Sequence, residues 1–293
     1  MARKALLTRK ALLIGINDYA PVGPGGPDLR GCVNDVRDMA HTLNALGIVL
    51  PGPGSMKILT DVRATRANIF AGLKWLITGA KKGDVLIFHY SGHGSQVPDL
   101  SGDELEAPPK KDETICPHDY ATAGMIKDDD LRTAFAGIAP GVNLDVILDS
   151  CHSGTGTREM ATLSAVPQEE QITYRYVEPP IDYGYFLDAN PTIPMKGILK
   201  PAPGEKEIVV VPGLKHVLWA GCRDYQTSAE APVDGVYRGV FTYCLCKALR
   251  RAGVGITRAR LDALVSADIK RMGYAQVPQL EGTRVSIGER VFT

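Results

Sequence analysis

The sequence predicts an α/β protein built on a mostly parallel central sheet flanked by helices. Several short apolar runs lack the polar alternation of half-exposed strands, which is typical of strands buried on both faces. Helical patterns lie between these runs, and alternating strands and helices predict a parallel sheet with helices on both sides. The predicted strands are residues 10–16, 56–59, 84–90, 144–148 and 216–220.

Apolar residues spaced three or four positions apart predict the helices. One such row fills residues 29–46, and Asp28 just before it is expected to cap the helix N-terminus through its side chain. Further helices are predicted at residues 65–79, 129–138, 239–251 and 258–272.

Residues 158–212 interrupt this alternation, because they hold eight of the 20 prolines and no long periodic segment. A loop of this length inside a compact domain is usually functional or mobile rather than structural. We therefore predict one domain over residues 1–293. In it, a proline-rich insertion at about 158–212 separates a part at about 1–157 from a part at about 213–293.

Charge and composition exclude several classes of protein. The 33 Lys and Arg balance the 33 Asp and Glu, so no net charge favours nucleic acid or an anionic membrane as a partner. No run approaches the roughly 20 apolar residues that span a bilayer, and residues 11–16 are too short for the core of a signal peptide. The six cysteines form no paired framework, which predicts a reducing, cytoplasmic location.

Reactive side chains follow two of the predicted strands. Strand 84–90 leads into His93, and strand 144–148 leads into Cys151. Because ligands of parallel sheets bind beyond the carboxyl ends of the strands, both side chains are expected in one cleft. A thiol needs a nearby base to become a thiolate near neutral pH, and the histidine would supply it. Gly94 would let backbone amides approach a carbonyl, as an oxyanion hole requires.

An acidic pocket is predicted beside this thiol. Side chains two positions apart in an extended chain face the same way, so Asp149 should point with Cys151 and Ser91 with His93. Asp35, near the start of the first predicted helix, is expected to join them. Such a pocket would select a cationic side chain on the substrate.

Five segments resemble motifs of the metacaspases, in the order of that family: residues 31–35, 90–94, 149–154, 220–229 and 277–280. The resemblance extends over about residues 10–281, and the chain resembles the compact prokaryotic members, which have no prodomain. It implies a caspase-like three-layer sandwich, with a large-subunit-like part before the insertion and a small-subunit-like part after it.

The resemblance also implies the activity, that of a cysteine endopeptidase acting on proteins or peptides. His93 and Cys151 would form its catalytic dyad, and the backbone amides of Gly94 and Cys151 its oxyanion hole. The remaining matched positions line the family's pocket for Arg or Lys at the cleaved position, and they are Cys32, Asp35, Ser91 and Asp149.

Other interpretations fit parts of the pattern. Cys32 suits core packing as well as a pocket wall, and Cys151 could be a small buried apolar residue. A catalytically silent scaffold that acts through protein binding is the main alternative to a peptidase, although it would need neither the dyad nor the acidic pocket. A nucleotide-binding domain would require a glycine-rich loop after the first strand, and none follows it.

Residues 99–130 contain ten acidic residues against three lysines. A solvated loop is the usual meaning of such a run, and calcium binding is the alternative, because calcium takes several carboxylate oxygens. The resemblance favours calcium. Asp112, Asp128 and Asp129 match metal positions of calcium-dependent metacaspases, whereas the fourth position is Arg158 here, with Glu159 beside it as a substitute ligand.

The enzyme is expected to cut itself within residues 158–215 and so to control access to its cleft. This segment begins shortly after Cys151, and its prolines should leave it extended. An acidic pocket would accept any of its six cations, which are Arg158, Arg175, Lys196, Lys200, Lys206 and Lys215.

Overall fold

The computed structural model describes residues 7–20, 28–98, 111–151, 172–177, 208–210, 214–223, 226 and 228–293. The strands, in chain order, are β1 (Arg9–Gly15), β2 (Met56–Thr60), β3 (Val85–Ser91), β4 (Gly94–Pro98), β5 (Lys111–Ile115), β6 (Ile126–Lys127), β7 (Asn143–Asp149), β8 (Thr173–Tyr174), β9 (Ile208–Val210), β10 (Val217–Ala220), β11 (Ala229–Val233), β12 (Val236–Gly239) and β13 (Gln279–Gly282). The helices are α1 (Cys32–Ala45), α2 (Arg66–Ile77), α3 (Tyr120–Ala123), α4 (Asp128–Phe135), α5 (Val240–Ala252), α6 (Arg258–Arg271) and α7 (Arg284–Gly288).

Seven strands form the central sheet, in the order β2-β1-β3-β7-β10-β13-β9. Every neighbouring pair is parallel except β10 and β13. This confirms the predicted fold class. β3 and β7 are parallel neighbours in the middle of the sheet, so their carboxyl ends meet at one edge of it.

Helices cover both faces of this sheet. Alternate residues of β1 enter two different apolar clusters, Leu13 with α1, α5 and α6 on one face, and Leu12 with α2 and α4 on the other. The period of two in an extended strand produces this division. The result is the three-layer α/β sandwich that the sequence predicted.

Two local expectations were wrong. Asp28 does not cap α1, because the helix begins at Cys32, and the Asp28 carboxylate instead accepts the backbone N–H of Tyr19 at 3.2 Å. The Asn17 side chain takes the capping role and accepts the N–H of Cys32 at 2.9 Å. In addition, β2 is an edge strand rather than one buried on both faces, and its Ile58 is 45% exposed.

The proline-rich insertion contains two short strands, β8 and β9, that the sequence did not predict, since two or three residues are too few to show a period. β8 pairs antiparallel with β11 in a small sheet of order β12-β11-β8. Most of the insertion lies outside the described residues. A third sheet, β4-β5-β6, extends from the loop that follows β3, with Gly94 opposite Ile115. In the described part of the chain, no helix is long and apolar enough to cross a membrane.

Candidate active site

The two strand ends that carry His93 and Cys151 lie side by side. In the parallel pairing of β3 with β7, Ser91 is opposite Asp149, so His93 and Cys151 each follow that pair by two residues. The two segments stay in contact beyond the strand ends. A Cβ atom at Gly94 would lie only 2.1 Å from the carbonyl oxygen of Cys151. Position 94 therefore has room only for glycine.

The Cys151 thiol is buried against the backbone of Ser228. The Ser228 N–H donates to Sγ at 2.5 Å, and the thiol faces the Ser228 carbonyl oxygen at 3.2 Å. Ser228 is thus a site residue that the sequence reasoning did not single out, although it lies in the matched segment 220–229.

Two tyrosines hold the backbone of His93. The His93 N–H donates to the Tyr19 hydroxyl oxygen, and the Tyr90 hydroxyl donates to the His93 carbonyl, both at 2.7 Å. The ring of Tyr19 also packs on the imidazole, with the ring centroids 4.8 Å apart. Burial raises the pKa of both tyrosines well above the ordinary value, so both remain neutral hydroxyls.

Asp35 and Ser91 form one wall of a buried pocket next to the thiol. The Ser91 hydroxyl donates to Asp35 Oδ2 at 2.7 Å, and the Gly239 N–H donates to Asp35 Oδ1 at 2.9 Å. Burial raises the pKa of Asp35 to about 7, and the Asp149 charge adds to this effect. The positive charge of Arg175 opposes this rise in the pKa and favours the ionised carboxylate.

Asp149 forms another part of the pocket wall. Its carboxylate accepts hydrogen bonds from the Ser228 hydroxyl at 2.6 Å and from the Thr242 hydroxyl at 2.7 Å. Because the Thr242 proton is used in this way, His89 Nε2, 3.3 Å from the Thr242 oxygen, must be the donor of that contact. Burial lowers the pKa of His89 to about 4, so this histidine is a neutral support behind the pocket.

Arg175 of the insertion fills the pocket. Its Nη1 donates to Ser91 Oγ at 2.8 Å and lies 3.1 Å from Asp149 Oδ1, while Nη2 donates to Asp35 Oδ2 at 2.7 Å. The side chain is fully buried. Burial opposes its charge, but the charges of Asp149 and Asp35 outweigh this and hold the pKa of the guanidinium above its ordinary value.

The backbone of Arg175 is hydrogen-bonded to the residues around the thiol. Its carbonyl oxygen accepts the N–H of Gly94 at 2.9 Å and the N–H of Cys151 at 3.2 Å, and its own N–H donates to the Ser228 carbonyl at 3.2 Å. Tyr174, the residue before it, pairs with Ala229 of β11. A carbonyl held by two converging N–H groups is the arrangement of an oxyanion hole.

The structure therefore brings most of the predicted site residues together, with Asp35, Ser91 and Asp149 around one guanidinium and the amides of Gly94 and Cys151 on one carbonyl. Cys32 fits both of its interpretations. It is fully buried in an apolar cluster, and it lies close enough to Arg175 to interact with its charge.

The three acids proposed for calcium lie near one another, with Asp112 on β5 and the other two at the start of α4. Asp112 is paired with Lys127, and Asp129 with Arg132. Burial raises the pKa of Asp128 to about 6, and the charges of Asp129 and Asp112 also raise it. Mutual repulsion of this kind is what a bound cation would relieve.

Arg158 and Glu159 lie outside the described residues. Among those described, no three His, Cys, Asp or Glu side chains are arranged to hold a metal ion. Asp112 and Asp128 nevertheless each leave one buried carboxylate oxygen without a hydrogen-bond partner in this part of the chain. A cation with oxygen ligands would need Lys127 to move away from Asp112.

Comparisons with known proteins show the family of the chain. A family profile described as "Metacaspase, peptidase C14 domain" matches residues 9–158. Metacaspase-1 of Mycosarcoma maydis is 33% identical over 294 aligned positions, which cover 94% of this chain and 70% of that protein. The chain belongs to the metacaspase family.

This metacaspase is similarly related to Metacaspase-1A of Aspergillus oryzae, with 34% identity over 297 aligned positions that cover 93% of this chain and 67% of that protein. A crystal structure of the protein GSU0716 from Geobacter sulfurreducens matches it with a TM-score of 0.64 and 28% identity over 98% of both chains. This metacaspase is accordingly a cysteine-type endopeptidase with a caspase-like α/β sandwich.

Proposed function

We propose that this metacaspase hydrolyses peptide bonds that follow Arg or Lys, through a thioester on Cys151. One observation carries the proposal: Arg175 places its guanidinium on Asp35, Ser91 and Asp149 while its carbonyl oxygen accepts the two amides beside the thiol. Buried carboxylates that contact a guanidinium directly would reject an acidic side chain by repulsion.

The chemistry follows from this placement. His93 takes the thiol proton, and the sulfur of Cys151 attacks the carbonyl carbon of the bound residue. The N–H groups of Gly94 and Cys151 stabilise the negative charge that develops on the carbonyl oxygen. His93 then gives its proton to the leaving amine, and water hydrolyses the thioester. A panel of fluorogenic peptides that end in Arg, Lys or Asp tests this activity: the Arg and Lys peptides should be cleaved and the Asp peptide should not, and preference for Asp would refute the proposal.

The proposal includes cleavage of the enzyme's own chain after Arg175. Of the six cations in the segment 158–215, only Arg175 and Lys215 lie in the described part. Lys215 precedes β10 and donates to the carbonyl of Ala136, at the end of the sheet opposite to the thiol. The docked position of Arg175 therefore favours the Arg175–Tyr176 bond as the site of self-cleavage.

Calcium is proposed as an activator that Asp112, Asp128 and Asp129 would hold. The ion would offset the repulsion between these acids, and β5, which carries Asp112, pairs with the strand that begins at Gly94. A bound ion would make β5 more rigid. It would thereby stabilise the position of the Gly94 N–H, one of the two amides that bind the substrate carbonyl. Calcium favours such carboxylate-rich sites, whereas magnesium requires a stricter octahedral geometry.

Millimolar calcium is expected to raise peptide hydrolysis by the wild type several-fold, and magnesium to replace it poorly. Asp128→Asn should lose the response, because it removes one charged ligand. Asp128 takes up a proton as the pH falls through about 6, so stimulation should fade below that pH. Equal activity with calcium and with a chelator would remove calcium from this account.

A further inference from the structure

Glu230 of β11 is a third buried carboxylate at the pocket. Its Oε1 accepts the backbone N–H of Arg30 at 2.8 Å, and its Oε2 accepts that of Gly31 at 3.0 Å. The same Oε2 lies 3.5 Å from Nη2 of Arg175. Glu230 is thus fixed by the chain that leads into α1, and one of its oxygens is directed at the bound guanidinium.

The two terminal nitrogens of Arg175 have different partners. Nη1 contacts Ser91 and Asp149, whereas Nη2 contacts Asp35 and Glu230. Ser91 Oγ and Asp35 Oδ2 are only 2.7 Å apart, so one ammonium group can contact both. A lysine, which ends in a single nitrogen, can therefore use that pair, but only the second nitrogen of a guanidinium extends towards Glu230.

We infer that Glu230 selects arginine over lysine at the cleaved position. This inference rests on the proposed function and adds a specificity residue to it. Asp35 and Asp149 already supply two carboxylates for one positive charge. The third carboxylate, that of Glu230, therefore contributes chiefly when the bound side chain has a second terminal nitrogen. A planar guanidinium binds more tightly when each of its two terminal nitrogens has an acceptor. A compact ammonium gains little from an acceptor that lies beyond its reach.

A purely structural role of Glu230 predicts a different result. Glu230 satisfies two N–H groups just before α1, and Asn17 caps the same helix through the N–H groups of Cys32 and Val33. If Glu230 served only this end of the helix, its loss would lower thermal stability and reduce cleavage after Arg and Lys equally. Asn17→Ala is the matched control, since it weakens the same helix end and, in the described part of the chain, its side chain bonds to the backbone of Arg30, Cys32 and Val33 rather than to Arg175.

The test compares kcat/KM for two peptides that differ only in Arg or Lys at the cleaved position. Wild type should prefer Arg by about tenfold or more. Glu230→Gln keeps the size of the side chain. It should lower kcat/KM for the Arg peptide by about tenfold and kcat/KM for the Lys peptide by less than about twofold. Asn17→Ala should leave the ratio unchanged while it lowers the melting temperature.

An unchanged Arg-to-Lys ratio in a folded Glu230→Gln protein would overturn the inference and leave the proposed function intact. If that variant does not fold, Glu230→Asp, which withdraws the carboxylate by one methylene, should show the same loss of preference. Equal wild-type rates for the two peptides would also overturn the inference, without any variant. A wild type that cleaves neither peptide would instead refute the proposed function itself.

Discussion

Cys151→Ala and His93→Ala are each expected to lower peptide hydrolysis on the order of 10³-fold or more while the fold persists. The two residues act as a unit, because the sulfur needs a base to become nucleophilic and the leaving amine needs the same residue as an acid. Neither side chain belongs to the main apolar packing of the three layers, apart from the contact of His93 with Tyr19. Steady-state kinetics with an Arg peptide and a melting curve for each variant provide the measurement.

Cys246→Ala is the matched control for the thiol. Cys246 is also fully buried, but it lies on α5, and burial raises the pKa of its thiol to about 12, so it is chemically inert at neutral pH. This variant should keep near wild-type turnover. Turnover close to wild type in Cys151→Ala, or a comparable loss in Cys246→Ala, would contradict the assignment of the nucleophile.

Asp149→Ala is expected to lower cleavage after Arg by about 30-fold to a few thousand-fold. Removing one partner of a buried, hydrogen-bonded charge pair costs about 2–5 kcal/mol, and each 1.4 kcal/mol is a factor of ten. The loss should fall mainly on Arg and Lys peptides, since Asp149 contacts the side chain of the bound residue rather than its carbonyl. Rates for matched peptides with Arg, Lys or a neutral residue measure it.

Asp145→Ala controls for the removal of a buried acid from the same strand. Asp145 pairs with the buried Arg258 at 2.8 Å, four residues before Asp149 and away from the thiol. It should lower the melting temperature without changing the preference among the peptides. If Asp149→Ala keeps full activity towards Arg, or if Asp145→Ala changes the preference in the same way, the pocket assignment is wrong.

Much of this site could be predicted from the sequence because simple geometry determines it. Parallel strands end at a common edge, which brings the ends of β3 and β7 together, and the period of two turns Asp149 towards the pocket. The same rules did not reveal that β2 lies at the edge. Nor could they place the start of α1, which depends on a long-range cap from Asn17.

The remaining site residues depend on tertiary contacts that no local pattern encodes. Glu230 and Gly239 come from β11 and β12, which reach the pocket only when the second half of the chain packs against the first. Gly239 leaves no room for a side chain, since a Cβ atom there would lie 2.3 Å from Asp149 Oδ2. The six cations of the segment 158–215 were equivalent in the sequence, and the pairing of β8 with β11 distinguishes Arg175 from Lys215, the other one in the described part of the chain.

The mass of the purified chain tests most directly whether this site acts on arginine. Tethering makes the encounter of Arg175 with Cys151 intramolecular, so a bond held in the cleft should be cut efficiently. Wild type should yield fragments 1–175 and 176–293, the second beginning at Tyr176, while Cys151→Ala and Arg175→Gln should both lack this cut. A wild type that hydrolyses Arg peptides but stays a single chain, or a cut after Arg175 in Cys151→Ala, would contradict this account.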